Sequence, residues 1–150
     1  MKIEILPLAT QKPKIKDESA LVFGRQFTDR MLVMEYDTGK GWHSARIQQY
    51  GPFSLDPAAM VLHYSQEIFE GLKAFRRADG RIALFRPADN VARFNRSAER
   101  MCMPVVDPAD FLEALRQLIR LEADWVPHSA GTSLYIRPTM IANEIGRAHV

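Results

Sequence analysis

The order in which apolar periodicities appear constrains this chain most: two hairpins come first, then two helices, then one more strand. Arg30 to Tyr36 is rich in Leu, Val and Met. It leads through Asp37-Thr38-Gly39-Lys40-Gly41 into Trp42 to Gln48, which reads as a hairpin with a glycine-containing loop. Ile68 to Arg76 and Arg81 to Phe85 flank Arg77-Ala78-Asp79-Gly80, whose Asp-Gly pair suits a second turn. The period then changes. Val91, Phe94, Ala98, Met101 and Cys102 recur at helical spacing between the start signals Pro87 and Asp89 and the stop at Pro104. A further helix begins at Asp107, a capping residue, with Pro108 at the first helical position and Asp110 in the first turn. Phe111, Leu112, Leu115, Leu118 and Ile119 form its buried stripe, with Trp125 a candidate continuation. From Ser133 to Met140 the pattern returns to period two, and Pro138 should stop that strand. Hairpins grouped before helices predict an α+β fold, an antiparallel sheet with flanking helices, and not a βαβ repeat.

Composition narrows the functional classes. The 150 residues suffice for one domain with a core, and 47% of them are hydrophobic. A net charge of +2 gives no reason to expect nucleic acid or an anionic membrane as partner. Cys102 stands alone, so no intrachain disulfide can form. His43, His63, His128 and His149 lack helical ligand spacing and cysteine partners, so no metal site is expected. Leu6 to Glu18, with Pro7 and Pro13 among lysines, reads as an extended lead-in, and no apolar h-region precedes it. A cytoplasmic location is the expectation.

Five residues bear on possible chemistry. Arg93, with Arg96 and Arg100 at i+3 and i+7, makes a basic helix stripe. A phosphate dianion needs a planar multidentate donor of this kind, although a solvated arginine face has the same pattern. Tyr135 and Arg137, two apart, leave one face of their strand while Leu134 and Ile136 leave the other. Arginine beside a phenol can hold a carboxylate next to an apolar wall; a plain surface strand fits the spacing equally. Gly71 lies inside an apparent strand, where glycine marks a bulge or a close approach. Lys73 is embedded in the same apolar run, and either snorkels or pairs with a carboxylate.

The stretch Tyr64-Ser65-Gln66-Glu67-Ile68-Phe69-Glu70-Gly71-Leu72-Lys73-Ala74-Phe75, followed by Leu84-Phe85-Arg86-Pro87 and Asn90-Val91-Ala92-Arg93, resembles the branched-chain amino acid aminotransferases. These are fold-type IV enzymes that use pyridoxal 5'-phosphate (PLP). Ser97-Ala98-x-Arg100-Met101-x-Met103-Pro104, Trp125-Val126-Pro127 and Leu134-Tyr135-Ile136-Arg137-Pro138 extend the likeness from Phe23 to Glu144. The resemblance implies that Arg93 anchors the PLP phosphate, and that Phe23, Tyr64, Phe69, Tyr135 and Arg137 line the substrate pocket. It further implies transamination of leucine, isoleucine and valine with 2-oxoglutarate, and a homodimer. A D-amino acid aminotransferase and an aminodeoxychorismate lyase are the nearest alternatives within fold-type IV.

The same resemblance divides the chain into a lead-in over 1–22 and a small N-terminal domain over 23–144. In the family a larger C-terminal domain follows, carrying the Schiff-base lysine, so no residue here, Lys73 included, is assigned catalysis. The chain as written is then expected to be an inactive, non-catalytic fragment. Residues 145–150, Ile-Gly-Arg-Ala-His-Val, back-translate to ATC GGA AGA GCA CAC GTC, a common sequencing-adapter read, and are expected to be a non-native tail.

Overall fold

In the computed structural model, which describes residues 1–144, β1 (Glu4–Ile5) pairs in parallel with the middle of β3 (Gly41–Gln49). The lead-in therefore contributes a short strand. On its other side β3 pairs antiparallel with β2 (Arg30–Asp37), from Arg30 opposite Gln49 to Asp37 opposite Gly41. The Lys40 N–H closes the turn onto the Asp37 carbonyl at 3.0 Å, as the loop composition predicts. The expected non-native tail lies outside the described residues.

A single turn of helix, α1 (Met60–Tyr64), precedes the region read as one strand from Ile68 to Arg76. That region is two strands, β4 (Glu67–Phe69) and β5 (Leu72–Arg76), parted at Glu70-Gly71. β6 (Ile82–Leu84) returns antiparallel on β5 through the turn at Arg77–Gly80. The segment from Ser133 to Met140 is likewise two strands, β7 (Leu134–Ile136) and β8 (Thr139–Ile141). β7 stops at Ile136, just before Arg137-Pro138, as expected of a proline, and a second strand resumes at Thr139. β7 pairs with β5 and β8 with β4, in one unbroken register: Leu72 faces Ile136 and Phe69 faces Thr139. Proline has no N–H to give the ladder, but its carbonyl still accepts, here from Glu70 N–H at 2.9 Å. The result is one long antiparallel pair interrupted at Glu70-Gly71 and Arg137-Pro138. Instead of a single sheet there are three small ones, ordered β1-β3-β2, β4-β8 and β6-β5-β7.

The interruption lets each half of the ladder face its own helix. α2 (Pro87–Arg100) buries Val91, Phe94 and Ala98. Met101 and Cys102, read as part of its stripe, are exposed, because the helix ends at Arg100 and the chain turns. Met103 is tucked in instead, its N–H bonded to the Ala98 carbonyl at 2.8 Å. α3 (Pro108–Leu121) starts as its sequence dictates: the Asp107 carboxylate accepts from the N–H groups of Ala109 and Asp110 at 2.9 and 3.0 Å. Ile68 of β4 and Met140 of β8 pack with Phe94 and Ala98 of α2. Leu72 and Ala74 of β5 pack with Leu115 and Ile119 of α3, over Val126. Trp125 is buried, though on a short 3-10 turn beyond α3 and not on the helix itself.

Buried polar groups fasten the lead-in to this body. Asp29, 3% exposed, accepts from Lys12 N–H (2.8 Å), Lys14 Nζ (2.6 Å) and Trp125 Nε1 (3.0 Å). Its own N–H donates to Glu122, which also receives Arg30 Nη1, both at 2.8 Å. Glu18 accepts the backbone N–H groups of His128 and Ser129.

Candidate functional site

Burial alternates without a break through the ladder interruption. Ile68, Glu70, Leu72 and Ala74 are buried, whereas Phe69, Lys73 and Phe75 are exposed and Gly71 lies between them on the outer face. Tyr135 is paired with Lys73, and its ring leans across Gly71. A Cβ at Gly71 would lie 2.3 Å from the Tyr135 hydroxyl, so the close approach expected at this glycine is made by a side chain. Arg137 Nη2 donates to that hydroxyl at 3.1 Å, and the guanidinium lies 4.6 Å from the centre of the Phe69 ring. Phe23, just after the lead-in, sets its ring edge-on to Tyr135 with centroids 5.1 Å apart. Four predicted residues thus meet on one face: Phe23, Phe69, Tyr135 and Arg137. The result is a fixed guanidinium beside apolar rings, which suits a carboxylate carrying an aliphatic group.

On the inner face, Glu70 meets α2. Arg93 gives it two parallel bonds, Nε to Oε2 and Nη2 to Oε1, each 2.7 Å. Gly71 N–H adds a third bond to Oε1 at 2.8 Å, and Asn90 Nδ2 reaches the Gly71 carbonyl at 3.3 Å. The bonds from Arg93 hold the Glu70 carboxyl below the ordinary carboxylate range, against the upward push of burial, and Gly71 N–H lowers it further. The same pair raises Arg93, which stays charged.

Arg93 opens onto a groove of about 920 Å³ between the outer face of β5 and β6 and the first turns of α2. Lys73, Arg86 and Arg96 also line it, and the one carboxylate present, Asp89, is paired with Arg86. Arg93 is half exposed, and its Nη1 donates to nothing among the described residues. A phosphate dianion fits that donor set: free N–H groups on a fixed guanidinium, with further cations around an open groove. Arg96 shares the groove with Arg93, whereas Arg100 is not among its lining residues. Lys73 points outward into the groove and has no ion pair among the described residues, consistent with snorkelling.

Tyr64 is placed apart. It ends α1, is 72% exposed, and its nearest ring is His63 at 6.3 Å. Glu70 is the residue that sequence reasoning passed over. Its signal was available in the alternation, since a carboxylate on the buried face between Ile68 and Leu72 requires a cation opposite. Among the described residues no three His, Cys, Asp or Glu side chains gather closely enough to hold a metal ion. None of the described helices is long and apolar enough to cross a membrane.

No family model matches the chain. Curated proteins do. It is 59% identical over 128 residues to branched-chain-amino-acid transaminase 1 of Bacillus subtilis, covering 85% of this chain and 36% of that protein. It is 52% identical to branched-chain-amino-acid aminotransferase 2 of the same organism, over 91% of this chain and 37% of the relative. The mitochondrial branched-chain-amino-acid aminotransferase of Bos taurus matches at 48% identity, over 90% of this chain and 35% of that protein. The chain therefore spans little more than a third of the length of these relatives. Among solved structures, Escherichia coli branched-chain amino acid aminotransferase superposes with a TM-score of 0.56 at 25% identity, over 68% of this chain and 32% of that one. A second solved branched-chain amino acid aminotransferase, from T.th. and holding pyridoxamine 5'-phosphate, gives 0.53 at 29% identity, over 67% and 31%.

Proposed function

Because the chain belongs to the branched-chain amino acid aminotransferase family, we propose that it is the small N-terminal domain of a PLP-dependent transaminase. Its parent protein transfers the amino group of leucine, isoleucine or valine to 2-oxoglutarate and works as a homodimer. PLP, when bound, supplies the electron sink for charge developing at the substrate α-carbon. This chain's residues hold and orient. Arg93 offers its free N–H groups to the phosphate. Arg137, fixed by the Tyr135 hydroxyl and the Phe69 ring, binds a substrate carboxylate. Phe23, Tyr64 and Phe69 wall off an aliphatic side chain, Tyr64 being assigned by likeness of sequence and not by contact. The Schiff-base lysine is assigned to none of these residues, and the 150-residue polypeptide by itself is expected to be inactive.

One observation carries the reading: the Tyr135–Arg137–Phe69 group and the Glu70–Arg93 pair lie on opposite sides of one interrupted ladder, joined through Gly71. The names of the relatives favour branched-chain substrates over those of the other fold-type IV enzymes. In the full-length protein, Arg93→Ala should weaken PLP retention by one to two decades, the scale of a charge-assisted bidentate contact. Arg96→Ala and Arg100→Ala should do much less. Arg137→Ala should raise the KM for amino or keto acid and leave PLP affinity intact. Equal losses of PLP from all three helix arginines would refute the assignment of Arg93, and PLP loss in Arg137→Ala would refute that of Arg137.

A further inference from the structure

We propose that Glu70 is a positioning residue for the cofactor phosphate: it grips one edge of the Arg93 guanidinium so that the opposite edge is presented, already oriented, to the groove. The proposal rests on Arg93 being the phosphate anchor.

A guanidinium has five N–H groups on two usable edges. Glu70 occupies the side-on edge, Nε and Nη2, with both bonds at 2.7 Å. One N–H of Nη1 and the second of Nη2 form the end-on edge, and neither is bonded among the described residues. Glu70 is itself fixed. It is 7% exposed, it receives Gly71 N–H at 2.8 Å, and its own N–H is bonded to the Pro138 carbonyl on the facing strand. Arg93 by contrast is long, half exposed, and free to sample many rotamers without that grip. A buried carboxylate is costly to keep where an apolar side chain would pack on the same face as Ile68 and Leu72. Its retention is accounted for if it orders the one arginine that must wait, extended, for a dianion.

The alternative sign is physically reasonable and gives the test its edge. Glu70 places a negative charge next to Arg93, and a purely electrostatic role would make it a competitor of phosphate. Removing it would then tighten the cofactor.

The experiment compares PLP with pyridoxal, which lacks the phosphate, by equilibrium dialysis against the full-length protein carrying Glu70→Gln, Arg93→Ala or both. Glu70→Gln should lower PLP affinity about tenfold, the scale of a lost charge-assisted bond, and leave pyridoxal affinity unchanged. In the Arg93→Ala background, Glu70→Gln should change PLP affinity less than about twofold, because its partner is gone. Tighter PLP binding by Glu70→Gln, no change at all, equal losses of PLP and pyridoxal, or an undiminished effect in the Arg93→Ala background would each overturn the proposal. Should Arg93→Ala alone leave PLP affinity untouched, the phosphate-anchor reading fails first, and Glu70 with it.

Discussion

The Tyr135 hydroxyl occupies the space that a side chain on Gly71 would need, 2.3 Å from the position of its Cβ. Tyr135 is in turn the partner of Arg137 and the edge-on neighbour of Phe23, so one missing methyl group keeps three predicted pocket residues in place. The two residues are brought together by the ladder. Gly71 sits at its interruption, and Tyr135 stands on the facing strand on the same exposed face.

Gly71→Ala should therefore swing the Tyr135 ring aside and release Arg137. The ring is only half-buried, so folding stability should fall by only about 1 kcal/mol. Substrate recognition should suffer more. A hydrogen bond to a charged group is worth roughly 1.5–3 kcal/mol, which predicts at least a tenfold rise in KM for amino acid in the full-length protein. PLP affinity should change less, because Glu70 and Arg93 bond to each other and not to Tyr135 or Arg137. Steady-state kinetics with a parallel PLP titration checks this, and an unchanged KM would show that Tyr135 does not act through Arg137.

Much of this arrangement was legible in the sequence. The Asp37–Gly41 loop, the Asp107 cap and the alternation of Leu134 to Arg137 each depend on neighbours along the chain, and each formed as read. The interruption at Glu70-Gly71 was harder to foresee, because Pro138 disturbs the facing strand and only the pairing transmits that to Glu70. Two neighbouring strands with one continuous apolar face look like one strand in sequence. The Glu70–Arg93 pair joins residues from a strand and a helix, so local spacing could not reveal it, although a carboxylate in a buried register position was a clue. Tyr64 shows the opposite limit. It sits close to Phe69 in the chain, yet α1 and the left-handed turn at Ser65 carry it away from the other rings.

Asp29 predicts how stability responds to acid. Burial pushes its carboxyl up, but the Lys14 ammonium, with Lys12 N–H and Trp125 Nε1, outweighs that and lowers it from 3.8 to about 2. A carboxyl lowered by folding contributes its full stabilisation above its unfolded value, near pH 4, and loses it as pH falls through 2. The shift corresponds to about 2 kcal/mol. Urea unfolding between pH 4 and pH 2 should show a declining midpoint in the native sequence and a shallower decline in Asp29→Asn. Parallel declines would mean that Asp29 takes no part.

Glu122 should matter more to folding than any exposed carboxylate. It is 2% exposed and receives both Asp29 N–H and Arg30 Nη1. Glu122→Ala leaves that amide and the guanidinium without an acceptor, at a cost of about 3–5 kcal/mol for breaking a buried pair. Glu113, at the surface of α3 with Arg116 and Gln117, should cost far less when changed to alanine, because solvent screens an ion pair there. Denaturant melts of the two variants test the contrast, which fails if both shift the midpoint alike.

The exposed rings make the last prediction, which concerns residues 1–150 expressed by themselves. Phe23, Tyr64, Phe69 and Phe85 are 74%, 72%, 60% and 76% exposed, and Phe69 and Phe23 belong to the face that holds Arg137. Each large apolar side chain left in water forgoes roughly 1.5–3 kcal/mol relative to burial, against a total stability of about 5–15 kcal/mol for a typical domain. Exposed rings that include Phe23 and Phe69 beside Arg137 are better explained as one wall of a cleft than as ordinary surface. The 150-residue polypeptide should accordingly bind the dye ANS, associate at micromolar concentration and show no transaminase turnover. The longer parent protein should bind little ANS and remain dispersed, because the proposed larger domain would cover these rings. A monomeric, ANS-negative 150-residue chain that unfolds cooperatively would show that this face needs no cover, and turnover by that chain would place the catalytic group within it.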